Sequence, residues 1–445
     1  VQFGILVSFG FRKPVITMMA TRQQRQKLTA WGVPTIYASV AILIGMLLPR
    51  FEHHFLPQLV STMSPSSAMA ICSSISSGMI ALTGIVFSLT FLMVQFSATA
   101  YSPRLVMWLA RDPVITHALG VFTSTFLYAL MVMAWVDRNS SGKVPLISGM
   151  LVFALLLASV AMFIALIDRV GLLQVNRMLI FTGDQGRKAI DELPVSQGPV
   201  ASSLKEKKSR ESRLVQTLTH TGRPQVIQAI KVALLVKMAR DTESVIELMP
   251  RVGDTVVELM PLLRVYGARL RLDEQQLRNG IDIGDERTFE QDPKYAIRLV
   301  VDIAIKALSP AINDPTTAVQ ALDQIEDLLL RLGKKNLDSG NYCDHMGCLR
   351  LIVPSPEWDD LLRLGLDEIR FCGATSVQVM RRMKALIVNL TAVLPAERRP
   401  ALEHWEQRLQ HTVARAFSDI EEKQEASVPD RQGLGIGEEP PRTET

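Results

Sequence analysis

A chain of 445 residues is long enough for two or three domains. Its 48 basic and 44 acidic residues nearly cancel to a net charge of +4, which excludes a nucleic-acid binder held by bulk electrostatics. Four cysteines are too few for a disulfide framework, and 48% hydrophobic residues with a mean hydropathy of +0.20 point to a membrane-embedded part.

The hydrophobicity concentrates before about residue 180, after which charged and apolar residues alternate as in a soluble domain. Val1–Ala20 places Arg12, Lys13 and Pro14 after a short apolar run, the reverse of a signal peptide. Met18 or Met19, followed by Arg22, Arg25 and Lys27, reads as a more natural start, and residues 1–30 are expected to form a cytoplasmic arm. Trp31–Leu48 is the first spanning candidate, eighteen uncharged residues with Trp31 and Tyr37 near one end, where amphipathic rings favour the interface. Pro49 is expected to end it. The connection that follows carries Arg50, Glu52, His53 and His54. Adjacent histidines lie about 100° apart on a helix and seldom share a metal ion, so a solvated loop is expected there.

Ser64 before Pro65 marks the start of the next helix. From Ser66 to Ser102 it runs thirty-seven residues without a charge. At 1.5 Å per residue that is about 55 Å, more than the roughly 30 Å of a bilayer's hydrocarbon layer. Steps of three and four residues trace Ser74, Ser77, Ala81, Gly84, Ser88, Phe91, Gln95, Ala98 and Ser102, small or polar at every position but Phe91. The same stepping from Ile75 traces Met79, Leu82, Val86, Leu89, Met93 and Phe96, all large and apolar, centred about 150° away. Two readings fit the small face. It packs helices closely, as Gly, Ala and Ser do in lipid. Alternatively, several copies turn Ser77, Gly84, Ser88 and Gln95 toward a shared axis and line a water-filled path.

Val114–Val136 and Val144–Ile167 form a hairpin of third and fourth spans around the turn at 137–142. His117, within one turn of the cytoplasmic edge, is expected to be interfacial. Five basic residues in the N-terminal arm, Arg104 and Arg111 after the second span, and Arg169, Arg177, Arg187 and Lys188 after the fourth outweigh the other side's Arg50, Arg138 and Lys143. The positive-inside rule then puts both termini in the cytoplasm.

The Ser- and Lys-rich stretch over 196–213 reads as a linker. A small β-rich module follows, with strands at Val226–Ile230, Ser244–Met249, Thr255–Glu258 and Leu262–Tyr266 and a short helix at Lys231–Arg240. No lysine stands at a hairpin tip to carry biotin or lipoate, and no cofactor is inferred.

Between Ile283 and Ala318 the chain reads IGDERTFEQDPKYAIRLVVDIAIKALSPAINDPTTA. This block, together with GIVFSLTFLMVQFSATAYSPRL over Gly84–Leu105, closely resembles the bacterial membrane proteins grouped as domain of unknown function 2254. The likeness extends from about Trp31 to about Leu390 and implies a location in the bacterial plasma (inner) membrane, but no mechanism. Read directly, Asp292 caps a helix with Pro293 in its first turn, along which Arg298, Asp302 and Lys306 share a face. Asn313 or Asp314 caps the next helix at Pro315. Arg287 and Asp292 are placed to tie the incoming loop to the Asn-Asp-Pro corner. The cluster Arg287, Asp292, Asn313 and Asp314 reads either as a structural knot or as a site where the two aspartates converge on a small ligand or ion. Cys343, His345 and Cys348 lack a fourth zinc ligand at suitable spacing, and no metal is expected. Amphipathic helices follow at 358–371, 377–394 and 400–423.

The expected architecture is a mainly α membrane protein. A four-transmembrane-helix N-terminal region at 31–168 (spans about 31–48, 69–98, 114–136 and 144–167) precedes a cytoplasmic α+β domain. Within that domain come a juxtamembrane segment and linker at 169–213, the small β-rich module at 214–268, a helical part at 269–423 and a disordered tail at 424–445. No phosphate loop, nucleophile elbow or kinase signature is present, and no enzyme is expected. The leading functional expectation is a homo-oligomeric channel or transporter regulated by its cytoplasmic domain. The alternative is a membrane-anchored sensor or scaffold whose cytoplasmic domain binds a ligand or partner. The lipid bilayer is the expected partner in both, with no nucleic acid.

Overall fold

The computed structural model describes residues 32–56, 58, 61–100, 113–138, 144–170, 175–193, 213–268, 271–337 and 340–434, which fall into two compact units. The N-terminal arm, the basic connection over 101–112, most of the linker and the last eleven residues, 435–445, lie outside the described residues.

The first unit contains α1 (Gly32–Phe55), α2 (Pro65–Ala100) as far as Val94, α3 (Pro113–Arg138) and α4 (Leu146–Val170). Each includes a stretch long and apolar enough to cross a membrane. Helix α3 is central, packed by α1 on one side and α4 on the other. Its contact with α1 is close because glycine permits it. A Cβ on Gly45 would sit 2.6 Å from Met131 Cβ, and one on Gly120 would sit 2.9 Å from the Tyr37 ring. Tyr37 also meets His117 across this contact, with Oη 3.2 Å from Nδ1. Ala41, Cys72, Tyr128, Ala129, Val132 and Val152 form the buried centre. Beside it Thr125 Oγ1 lies 2.9 Å from Ser159 Oγ and 2.8 Å from the Val121 carbonyl oxygen.

Pro49 does not end the first helix; α1 continues through it to Phe55. Proline removes one backbone donor but leaves the following turn intact, and Leu56 N still donates to the Glu52 carbonyl at 2.9 Å. The Arg50 guanidinium donates to the Met46 carbonyl in the loosened turn. The two histidines therefore lie on the last turn of a helix, His53 edge-on to Trp135 at 5.8 Å.

The second unit begins with α5 (Val175–Asp191), expected to be part of a juxtamembrane linker. It is instead a core helix, because Met178, Leu179, Thr182, Gly183, Gly186, Ala189 and Ile190 share one face. They bury it against α8 (Pro293–Ala307) and α9 (Pro315–Gly333). A Cβ on Gly186 would meet Leu328 at 2.8 Å and Ala296 at 2.9 Å. Helices α10 (Trp358–Cys372), α11 (Val377–Val393) and α12 (Arg399–Ala416) complete this helical core.

The β-rich part comprises β1 (Leu214–Thr219), β2 (Gln225–Ile230), α6 (Val232–Asp241), β3 (Val245–Leu248), β4 (Thr255–Val256), β5 (Pro261–Tyr266), α7 (Glu274–Asn279) and β6 (Ile281–Gly284). Two more strands, β7 (Asn341–Cys343) and β8 (Leu349–Ile352), arrive from the region expected to be helical. The five-stranded sheet has the order β1-β5-β3-β8-β7, and β4-β2-β6 form a second sheet. Strand β8 pairs parallel to β3, with Ile246 opposite Leu351, so the late hairpin closes the sheet begun some hundred residues earlier. The tail expected to be disordered from residue 424 is instead ordered over its described part, 424–434. Helix α13 (Ile420–Ser427) buries Ala426. Asp430 then accepts from Gly433 N at 2.9 Å, and Gly433 O accepts from the Gln378 amide at 2.5 Å.

Candidate functional site

Two places in the chain carry unusual chemistry, one in each unit. In the first, Ser74, Ser77, Ala81, Gly84 and Ser88 of α2 are all exposed; Gln95, also exposed, falls in the second unit. Beyond the helix's own backbone, no atom comes within 4 Å of a Cβ built on Gly78 or Gly84. The packed side is the large one. Met79 and Val86 are 4% and 0% exposed, and Ile75 and Leu82 are half-buried. Ser76 is buried with them, its hydroxyl donating to the Phe126 carbonyl at 3.4 Å. The small seam thus faces away from its own chain's bundle, where Ile80, Ile85 and Phe87 are exposed too.

In the second unit, segment 285–292 fastens the β-rich part to the helices. Asp285 accepts from Arg223 at 2.6 Å and from Gln225 at 3.1 Å, and the Glu286 carbonyl accepts from Gln228 at 2.7 Å. Phe289 packs against Tyr295 with ring centroids 5.2 Å apart and the planes tilted by 47°. Gln291, at φ +54°, turns its amide onto the end of β2, accepting from Ile230 N at 3.0 Å and donating to Ile230 O at 3.3 Å. Asp292 then caps α8, its Oδ1 accepting from Tyr295 N at 3.3 Å. Its other oxygen is buried without a partner and points at Gly253, where a Cβ would lie 2.3 Å from it. Burial pushes the Asp292 carboxyl above the usual carboxylate range, against the pull of Lys294 and Arg287.

The polar cluster read from the sequence is not one site. Asp292 precedes α8 and Asp314 follows its far end, so the fifteen-residue helix separates the two carboxylates by about 22 Å. Their expected convergence on one ion is corrected by this geometry. Asp314 is spent as a cap, accepting from Thr317 N at 3.1 Å and Thr317 Oγ1 at 2.6 Å. Asn313 supplies the left-handed turn at φ +50°, a conformation its short amide tolerates. Arg287 is exposed and acts on Asp292 through space. Among the described residues no three His, Cys, Asp or Glu side chains group as a metal site. The Cys343–Cys348 stretch is a hairpin organised by Asp344, which accepts from Met346 N at 2.9 Å, Cys348 N at 3.0 Å and Arg350 Nε at 2.8 Å.

Beside the joint lies a cavity of about 170 Å³. Its walls come from Ile230 and Val232, the Arg251 turn, Gln291, Pro293 and Lys294 at the start of α8, the end of α9 with Lys335, and the 353–356 segment. Sequence reading missed it, since Arg251, Lys294 and Lys335 are scattered along the chain. Gln291 had one local signal, its place before the Asp-Pro cap.

A family model described as predicted membrane protein, DUF2254, matches residues 27–389, which takes in all four long apolar helices, the joint and the cavity. The chain belongs to the DUF2254 family. Proteins of similar sequence are the uncharacterized proteins Rv1290c of Mycobacterium tuberculosis and Mb1321c of Mycobacterium bovis. Each is 27% identical over 376 residues, covering 82% of this chain and 71% of the relative. No solved structure matches the chain. The DUF2254 match agrees with the resemblance carried by the Ile283–Ala318 block, whose residues build the joint.

Proposed function

We propose that this DUF2254 protein is a homo-oligomeric channel or transporter of the bacterial inner membrane, with both termini and the second unit in the cytoplasm, where that unit regulates the path. The observation that supports it is the outward seam of α2. A membrane helix that packs Met79 and Val86 inward and leaves Ser77, Gly84 and Ser88 outward, among exposed Ile80, Ile85 and Phe87, presents a small-residue stripe that another helix can approach closely. Further copies of α2 match it by close backbone approach, and water between the copies satisfies the seam's hydroxyls. The reading assigns no catalytic step.

Purified protein in liposomes then passes ions or small solutes, and Ser88→Leu or Gln95→Leu blocks the flux while the helices remain folded. With the four native cysteines replaced by serine, Ser77→Cys crosslinks between copies on oxidation. Flux indifferent to both leucine variants refutes the path. A sensor or scaffold is the second reading, favoured by the cationic cavity, and it predicts ligand binding without flux.

A further inference from the structure

We propose that the cavity beside the joint binds a phosphate monoester carrying a small apolar body. Arg251, Lys294 and Lys335 all line it, and no carboxylate does. Arg251 reaches Asp360 only at 3.5 Å, and among the described residues neither lysine forms an ion pair. Asp292 lies behind Lys294 with one oxygen committed to the α8 cap, and offsets part of that charge without entering the cavity. What remains is an excess of positive charge held at a concave surface by three different elements.

A phosphate monoester near neutral pH carries about −1.5 to −2, which matches two uncommitted ammonium groups better than a single carboxylate does. Lysines suit the task as point charges with three rotatable donors each, needing no fork geometry. Gln291 and Ser355 add neutral polar groups, while Ile230, Val232, Leu332 and Val353 give the rest of the wall an apolar character. The volume of about 170 Å³ is close to the roughly 150 Å³ of an engineered cavity that takes up benzene. A phosphate or a ring therefore fits inside, and a ligand that carries both extends to the mouth. Because the walls belong to the β-rich part and to α8 and α9 together, a bound ligand braces the joint that Gln291 makes. The inference holds whether or not the first unit conducts.

The test uses the full chain in detergent micelles, titrated calorimetrically with phenyl phosphate, inorganic phosphate and benzyl alcohol. Phenyl phosphate is expected to bind most tightly, inorganic phosphate more weakly and benzyl alcohol not at all. Lys294→Gln with Lys335→Gln is expected to weaken phenyl phosphate at least about ten-fold, as loss of two charge-assisted contacts implies. Lys335→Arg should keep most of the affinity. Hydrogen exchange should show protection at residues 291–294 and 335–337. If the double variant does not fold, Val353→Trp fills the cavity with every charge in place and should abolish binding. Nanodiscs separate the sources of the phosphate. Protection by phenyl phosphate in phosphatidylcholine discs assigns a soluble ester, and protection only with phosphatidic acid assigns a lipid headgroup of the same chemistry. Absence of protection in both arms, protection elsewhere, or affinity unchanged by the lysine pair and by Val353→Trp overturns the proposal.

Discussion

Asp292 and Gly253 share one steric problem. The aspartate must stay next to α8 to cap it, and its free oxygen occupies the space where any other residue at 253 would place its Cβ. Gly253 also sits at φ +88°, where an L side chain is strained in any case. Gly253→Ala is therefore expected to destabilise the chain by about 2–3 kcal/mol, from strain and clash together. Gly347 provides the control: φ is +74° but nothing crowds its Cβ position. Gly347→Ala should cost only the strain, about 1 kcal/mol. Thermal melts of the full chain in detergent, followed by tryptophan fluorescence, separate the two, and equal losses would remove the clash from the account. Asp344 behaves oppositely to Asp292. Burial raises its carboxyl, but the bonds from Arg350, Cys348 N and Met346 N outweigh this and hold it below the ordinary range. A depressed carboxylate contributes stability that is present above the unfolded value, about 3.9, and is lost as pH falls through the folded one. Asp344→Asn should thus lower the melting temperature at pH 6, with the gap from wild type closing below about pH 4. A gap constant with pH would contradict the pairing.

At the scale of elements, α4 depends on a residue ninety-four positions before its first turn. Glu52, 2% exposed at the end of α1, accepts from Ile147 N at 2.8 Å and from Ser148 N and Oγ at 3.0 Å each. It satisfies amides that a helix start otherwise leaves bare and places negative charge at the positive end of the dipole. Glu52→Ala leaves those donors buried and should cost about 2–4 kcal/mol, with Glu52→Gln recovering part of it. Resistance to unfolding by added SDS reads the order wild type, Gln, Ala; a harmless alanine would show that water reaches these amides. The same logic explains why α2 can carry a small outward seam. Its hold on the bundle comes from Cys72, Met79 and Val86, so Ser77, Gly84 and Ser88 are not needed for folding within the chain. Substitutions there test assembly and flux without first testing stability.

Across the whole molecule, charge and apolar length in the sequence already determined the division into an apolar, four-helix part and an α+β part. They did so because each helix must be apolar over the thickness of a bilayer, and because strand and helix periods are written in neighbouring residues. The cap at Asp292 was legible for the same reason, and the one before Pro315 was narrowed to Asn313 or Asp314, of which the structure uses Asp314; each is a contact within four residues. Which face of α2 turns inward, how Glu52 reaches α4, why α5 belongs to a core, and how β8 joins β3 were decided only by tertiary structure. These depend on pairs of residues far apart in the chain, brought together by packing that no local pattern encodes. The cavity belongs to this second class. Three cations spread over eighty-five positions become one surface only when the β-rich part folds against α8 and α9.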